Sequence, residues 1–109
     1  MAEVAKRLYG PAFLSLSTAT VYTVPTSTTT ILKSVRVTNN DAAISGNSFT
    51  LLLNGTTVAT NSLFSSVAVS PSGSFDWSGW IVLNPGDILR AFCTANSIMA
   101  MILTGIEVS

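Results

Sequence analysis

The chain has 109 residues, a formal net charge of zero and only 9% charged residues, against about 25% in an average soluble domain. This length supports one folded domain, and the balanced charge provides no basic surface for a nucleic-acid backbone, so no nucleic-acid partner is expected. Hydrophobic residues make up 48% of the chain. So few charges leave little to keep separate copies apart, and we expect much of the surface to contact protein.

The apolar runs of the sequence are short. None approaches the roughly 18 residues of a membrane-spanning helix, and the charged residues 1–7 are not followed by the apolar segment of a secretory signal. We therefore expect no membrane contact and assembly in a cytoplasm. The single cysteine, Cys93, lies in an alternating run and is expected to be a small buried hydrophobic residue.

The N-terminal segment, residues 1–11, is expected to form an extended arm that precedes a domain at residues 12–109. It mixes charges with Leu8 and Tyr9, and the Gly-Pro pair at its end favours an extended exit. A disordered tail is the alternative, because termini that nothing holds are usually disordered. The two apolar side chains argue against that alternative.

Residues 31–38 alternate with the period of a strand. The alternation places Ile31 and Val37 on the buried face and Leu32 on the outer face. By the same parity Lys33 points inward, which requires either an edge position or a side chain whose amino group reaches water.

Further strands are predicted from β-branched and alternating runs at 12–17, 20–24, 48–53, 67–69, 75–83, 88–93 and 97–108. The pair Asn54-Gly55 favours a type I′ hairpin that returns residues 56–60 onto the preceding strand, and residues 84–87 favour a type II turn. In the last strand, Met99, Met101 and Leu103 share one face. The opposite face is also apolar, so this strand is either central or part of an interface.

About eight short strands with no amphipathic helix predict an all-β protein. We expect a single antiparallel β-sandwich of jelly-roll or Ig-like type, with a closed barrel as the alternative.

Groups that could carry chemistry are scarce. Histidine is absent and the five acidic residues are scattered, which removes the commonest general base and leaves no paired carboxylates. The cluster of Asn39, Asn40 and Asp41, with Asp87, matches no calcium-binding loop, so we expect these residues to form turns. The sequence therefore predicts no enzyme activity, no catalytic residue, no metal and no cofactor.

Two tryptophans stand three residues apart, at Trp77 and Trp80. In a strand this spacing sends them to opposite faces. One is then expected to cap the core, and the other to be an exposed aromatic for a protein interface or a sugar. The alternative is that Gly79 bulges the strand and both rings pack inside.

Strand and turn residues form recognisable segments at 5–11, 21–39, 75–87 and 103–108, which together span most of the chain. They include Lys6-Arg7-Leu8-Tyr9, Val35-Arg36-Val37 and Trp77-Ser78-Gly79-Trp80. The set resembles small virion structural proteins of tailed bacteriophages and prophages.

That resemblance implies a β-sandwich that coats capsids or sits on tails, usually as an oligomer and often as a trimer. The expected function is a non-enzymatic capsid decoration, or cement, protein on the outside of a phage head. Its expected partners are the major capsid protein or other virion proteins, with assembly in the host bacterial cytoplasm and a final location in the virion. The predicted protein-interaction residues are Lys6, Arg7, Leu8, Tyr9, Trp77 and Trp80.

Two alternatives stay open. One is a minor tail or fibre-associated subunit, and the other is a carbohydrate-binding module that uses an exposed tryptophan as a platform.

Overall fold

The computed structural model describes residues 3–41, 47–94 and 98–109. In these ranges the chain forms eight β-strands and one short helix. In chain order they are β1 (Glu3–Phe13), β2 (Ala19–Thr23), β3 (Thr29–Asn39), β4 (Ser48–Leu53), α1 (Val58–Asn61), β5 (Ser62–Ala68), β6 (Ser74–Leu83), β7 (Ile88–Cys93) and β8 (Met99–Val108). No helix in the described ranges has the length and apolar character needed to cross a membrane.

The strands form two antiparallel sheets of four. Sheet A has the order β1-β8-β3-β6, and sheet B has the order β2-β7-β4-β5. The pairs β1–β8, β2–β7, β3–β6 and β4–β5 are nested, as in a long two-stranded ribbon rolled into a sandwich. This is the pattern of a jelly roll. The predicted all-β sandwich of eight strands is confirmed, and the two sheets are separate rather than one closed barrel.

Strand β8 explains why both faces of the last segment are apolar. It lies between β1 and β3 in sheet A, so it is a central strand. Its residues Met99, Met101 and Leu103 are fully buried in the core between the sheets. Cys93 at the end of β7 is also buried, as expected.

Residues 3–11 of the N-terminal segment are extended, and they belong to the sandwich. Strand β1 pairs with β8 from Glu3 opposite Val108 to Phe13 opposite Ala100, so the predicted boundary between residues 11 and 12 falls inside this strand. Pairing satisfies the backbone groups of β8 that would otherwise form a bare edge. Pro11 fits because an edge strand tolerates a residue without an N–H group.

The segment after β4 differs from the predicted hairpin. Asn54 has a φ of 62°, but Gly55 does not have the positive φ that a type I′ turn also requires. Residues 56–60 do not pair back. Helix α1 makes one turn instead, and the Asn61 side-chain amide donates a hydrogen bond of 2.9 Å to the Leu53 carbonyl.

A bulge in β3 corrects the predicted faces of that strand. Leu32 lies opposite Gly105 and Ser34 lies opposite Thr104, so Lys33 is an extra residue without a partner position on β8. The bulge reverses the parity of the residues before it. Leu32 is therefore fully buried, whereas Lys33 is exposed and Ile31 only half-buried.

Candidate functional site

An aromatic cluster sets the orientation of β6. The ring of Phe64 on β5 lies 5.6 Å from that of Phe75 and 5.5 Å from that of Trp77, centroid to centroid. Strands β5 and β6 are edge strands of opposite sheets, so these contacts join the two sheets. Since side chains alternate along a strand, an inward Trp77 leaves Trp80 on the outer face.

Trp80 is the most exposed large hydrophobic side chain described, with 67% of its surface accessible. The prediction that the two tryptophans face opposite ways is confirmed. The alternative in which both rings pack inside does not hold, because the alternation of exposure continues through Gly79. The Trp77 ring lies over that glycine, where a Cβ atom would be 2.9 Å from Trp77 Cζ2.

An apolar row crosses the outer face of sheet A beside Trp80. Ala5 lies opposite Ile106, Ile106 opposite Ile31, and Ile31 opposite Val82, so one row of side chains spans all four strands. Residues directly opposite each other point to the same face. Val82 is 49% exposed. We call these four residues, together with Trp80, the outer row.

A shallow depression of about 420 Å3 adjoins the outer row over β1, β8 and β3. Its lining includes the basic side chains of Arg7 and Lys33, with Thr104 between the two strands that carry them. Among the described residues, neither of these cations has an ion-pair partner. The outer face therefore combines an apolar row, an exposed indole and two uncompensated positive charges.

Other cations of sheet A are compensated. Arg36 forms an exposed ion pair of 3.3 Å with Asp76 on the neighbouring strand. Lys6 lies 3.2 Å from Glu107.

The structure separates the six predicted interaction residues into two groups. Leu8, Tyr9 and Trp77 pack against the protein's own core, and Lys6 is held by its ion pair. Pairing of β1 with β8 places Leu8 and Tyr9 against the core, so these side chains are partly buried within the protein itself. Arg7 and Trp80 are exposed. The role of all six residues in binding stays a prediction.

Sequence reasoning missed Lys33, Ile31, Ile106 and Ala5 as members of this surface. The bulge that exposes Lys33 and Ile31 cannot be recognised from the sequence, because residues 31–38 alternate as in a regular strand. Val82 could have been predicted as a member of this surface, because it lies two residues from Trp80 in the same strand and so shares its face.

A hydrogen-bonded group of three side chains, Tyr22, Thr30 and Glu107, connects sheet B to sheet A. The Tyr22 hydroxyl of β2 donates a hydrogen bond of 2.5 Å to Glu107 on β8 and lies 2.8 Å from the Thr30 hydroxyl. Burial, followed by the hydrogen bond to Glu107, raises the pKa of Tyr22 to about 12. The hydrogen bond from Tyr22 lowers the pKa of Glu107. Tyr22 therefore stays neutral and acts as a donor that holds the sheets together.

The Tyr22 bridge predicts a pH-dependent stability. Because the folded-state pKa of Glu107 lies below its ordinary value of 4.5, the stabilisation is complete above that pH and is lost as the pH falls through the lowered pKa. We expect Tyr22→Phe to cost about 1.5–3 kcal/mol at neutral pH. The cost should shrink in acid, below the lowered pKa of Glu107, where the wild type also loses the charge on that carboxylate. Urea unfolding at both pH values measures this difference.

Tyr9→Phe is the matched control, because Tyr9 packs against the core and its hydroxyl makes no hydrogen bond within the described ranges. It should change the unfolding free energy little at either pH. A Tyr22→Phe cost that is the same at both pH values would contradict a bridge to a charged carboxylate.

The Asp87 carboxylate serves the turn between β6 and β7. It accepts hydrogen bonds of 2.8 Å from the Asn84 backbone and from the Asn54 side-chain amide. The turn has the expected form, with a φ of 84° at Gly86 and a bond of 3.0 Å from the Asp87 N–H to the Asn84 carbonyl. No group of three or more metal-ligating side chains occurs among the described residues.

Comparisons with known proteins identify a fold. No protein-family model and no curated protein matches the chain. A chain in the structure of infectious bursal disease virus strain Gx aligns with a TM-score of 0.50 and 12% identity, over 97% of this chain and 30% of that chain. The VP2 subviral particle of the same virus gives a TM-score of 0.42 at 12% identity, over 97% of this chain and 28% of that chain.

A carbohydrate-binding module, CBM35 from Paenibacillus barcinonensis, aligns with a TM-score of 0.48 and 17% identity, over 98% of this chain and 89% of that chain. The chain thus spans less than a third of the viral chains that it matches. At these identities the likeness concerns architecture alone: the protein shares its β-sandwich fold with part of a protein from a virus particle.

Proposed function

We propose that the protein is a non-enzymatic virion structural protein, a decoration protein that attaches to the outside of a phage head through the outer face of sheet A. The exposure of Trp80 beside the apolar row carries this proposal. Exposed tryptophans surrounded by apolar neighbours are typical anchors of protein interfaces. The resemblance of the sequence segments to phage virion proteins supports a virion partner, with the major capsid protein as the first candidate.

The composition supports the same proposal. With 9% charged residues and no net charge, the surface is suited to remaining covered after assembly. Association of copies as a homo-oligomer, with a trimer favoured, would cover further apolar surface.

The proposal predicts a selective effect of Trp80→Ala. Binding to purified heads of the phage that carries the gene should weaken about 30–100-fold, because an interface anchor is lost. The unfolding free energy should change by no more than about 0.5 kcal/mol, because the side chain is exposed in the free protein. Co-sedimentation with heads measures binding, and urea unfolding checks the fold.

Val58→Ala is the matched control, since Val58 is also an exposed apolar residue, 41% accessible, but lies on α1 away from sheet A. It should leave head binding unchanged. Failure of the wild-type protein to sediment with heads would overturn the decoration role. Binding to isolated tails alone would identify a tail subunit, and a change of tryptophan fluorescence with one member of a glycan panel would identify a carbohydrate-binding module.

A further inference from the structure

Arg7 and Lys33 stand at defined positions beside the outer row. Arg7 is on β1 and Lys33 on β3, with β8 between them, and both line the same depression. Two strand spacings separate them, which is about 10 Å. Trp80 lies one strand further, on β6. The face therefore presents a cation, a second cation and an indole in order across the sheet.

Two acidic residues of sheet A form ion pairs with other cations. Glu107 pairs with Lys6. Asp76 pairs with Arg36. Glu3 lies beyond the outer row on β1, four residues from Arg7, and makes no ion pair with it among the described contacts. The depression is therefore lined by cations and by no acidic residue among the described residues, although the whole chain is neutral.

A partner that covers the outer row must also cover these cations. Removing Arg7 and Lys33 from water without supplying opposite charge is costly, because each loses hydration and gains nothing in return. An uncharged apolar partner would therefore bind poorly here, and a basic partner would be repelled.

We propose that the outer face of sheet A binds an acidic protein surface, one that presents two carboxylates about 10 Å apart to Arg7 and Lys33 beside an apolar recess that receives Trp80. This inference rests on the proposed function and specifies the chemistry of the capsid surface that the protein recognises. The two charges set orientation and association rate, and Trp80 supplies most of the affinity.

The test is co-sedimentation of the folded full-length protein with purified heads at two salt concentrations. Between about 50 mM and about 500 mM salt, we expect the wild-type affinity to fall at least ~10-fold through screening of exposed charges. The double variant Arg7→Glu/Lys33→Glu should bind at least ~100-fold more weakly at low salt, because attraction becomes repulsion. Arg7→Gln/Lys33→Gln should lie between the two and lose most of the salt dependence.

Arg90→Gln is the control for loss of a cation. Arg90 lies on β7 of sheet B and has no ion-pair partner among the described residues, so its removal should leave head binding unchanged. A second experiment tests the preference for acidic partners without phage heads, by NMR with charged polypeptides. Poly-L-glutamate should shift the NMR signals of Arg7 and Lys33 in the wild type but not those of Arg90, and poly-L-lysine should shift none of them.

The outcomes separate this inference from the proposed function. If Trp80→Ala weakens head binding while the charge-reversed variant binds like the wild type, the acidic partner is overturned and the decoration role stands. If heads do not bind but poly-L-glutamate shifts Arg7 and Lys33, the acidic chemistry is supported and the decoration role is overturned. If neither heads nor poly-L-glutamate binds, both are overturned.

Discussion

Replacing Phe49 with alanine is expected to lower the free energy of unfolding by about 3–5 kcal/mol. Phe49 on β4 is fully buried, and its ring centroid lies 5.4 Å from that of Phe75 on the opposite sheet and 6.4 Å from that of Phe64. Truncation leaves a cavity between the sheets and removes two ring contacts. Since whole domains are stable by only about 5–15 kcal/mol, the variant should be close to unfolding at moderate temperature.

Phe13→Ala is the control for this variant. Phe13 is 52% exposed at the end of β1, so its truncation should cost about 0.5 kcal/mol or less. Guanidinium unfolding, followed by the fluorescence of Trp77 and Trp80, measures both variants. Equal losses for the two phenylalanines would contradict the position of Phe49 at the centre of the core.

Gly105→Ala is expected to cost about 2–4 kcal/mol, although it adds one methyl group. The Cβ atom would lie 2.3 Å from the carbonyl oxygen of Ile31 and 3.1 Å from Leu8 Cδ1. The backbone of β3 would have to move away from β8, next to the Lys33 bulge. The variant should therefore lose head binding as well as stability, because the bulge positions both Ile31 and Lys33 on the outer face.

Gly86→Ala separates this steric effect from backbone strain. Gly86 has a φ of +84° but no atom within 4 Å of the added Cβ, so alanine there should cost only about 1–2 kcal/mol and leave binding intact. The comparison combines urea unfolding with co-sedimentation. A Gly105→Ala variant that binds heads as the wild type does would contradict the link between the bulge and the outer face.

Features encoded by local sequence were predictable. The alternation of Met99, Met101 and Leu103 identified their shared face, and their burial between the sheets confirms it. The turn at residues 84–87 followed from the conformations that proline and glycine adopt. The opposite orientation of the two tryptophans followed from the two-residue period of a strand.

Features that depend on a distant strand were not predictable. The face of Leu32 depends on a bulge, and the bulge lies beside Gly105, far along the chain, where a Cβ atom would meet the Ile31 carbonyl. Likewise, Gly10-Pro11 resembles the end of a segment when considered alone, but pairing with β8 continues the strand through it. Local alternation contains no information about which residue will lie opposite.

In the candidate site, too, some residues could be identified from the sequence and others only from the pairing of distant strands. Trp80 was singled out from residue type and spacing, and Arg7 from the resemblance to phage virion proteins. The outer row was not, because Ala5, Ile31 and Ile106 become neighbours only through the register of β1, β8 and β3. Each is an ordinary strand residue in the sequence, and only their juxtaposition makes a surface.

The nested strand order has a consequence for synthesis of the protein. Strand β8 lies between β1 and β3, so those two strands have no common neighbour until residues 99–108 have left the ribosome. During translation the chain can begin to pair β4 with β5 and β3 with β6, but β1 can join the rest of sheet A only through β8. The complete outer row therefore forms only when β8 joins sheet A, because Ile106 links Ala5 to Ile31.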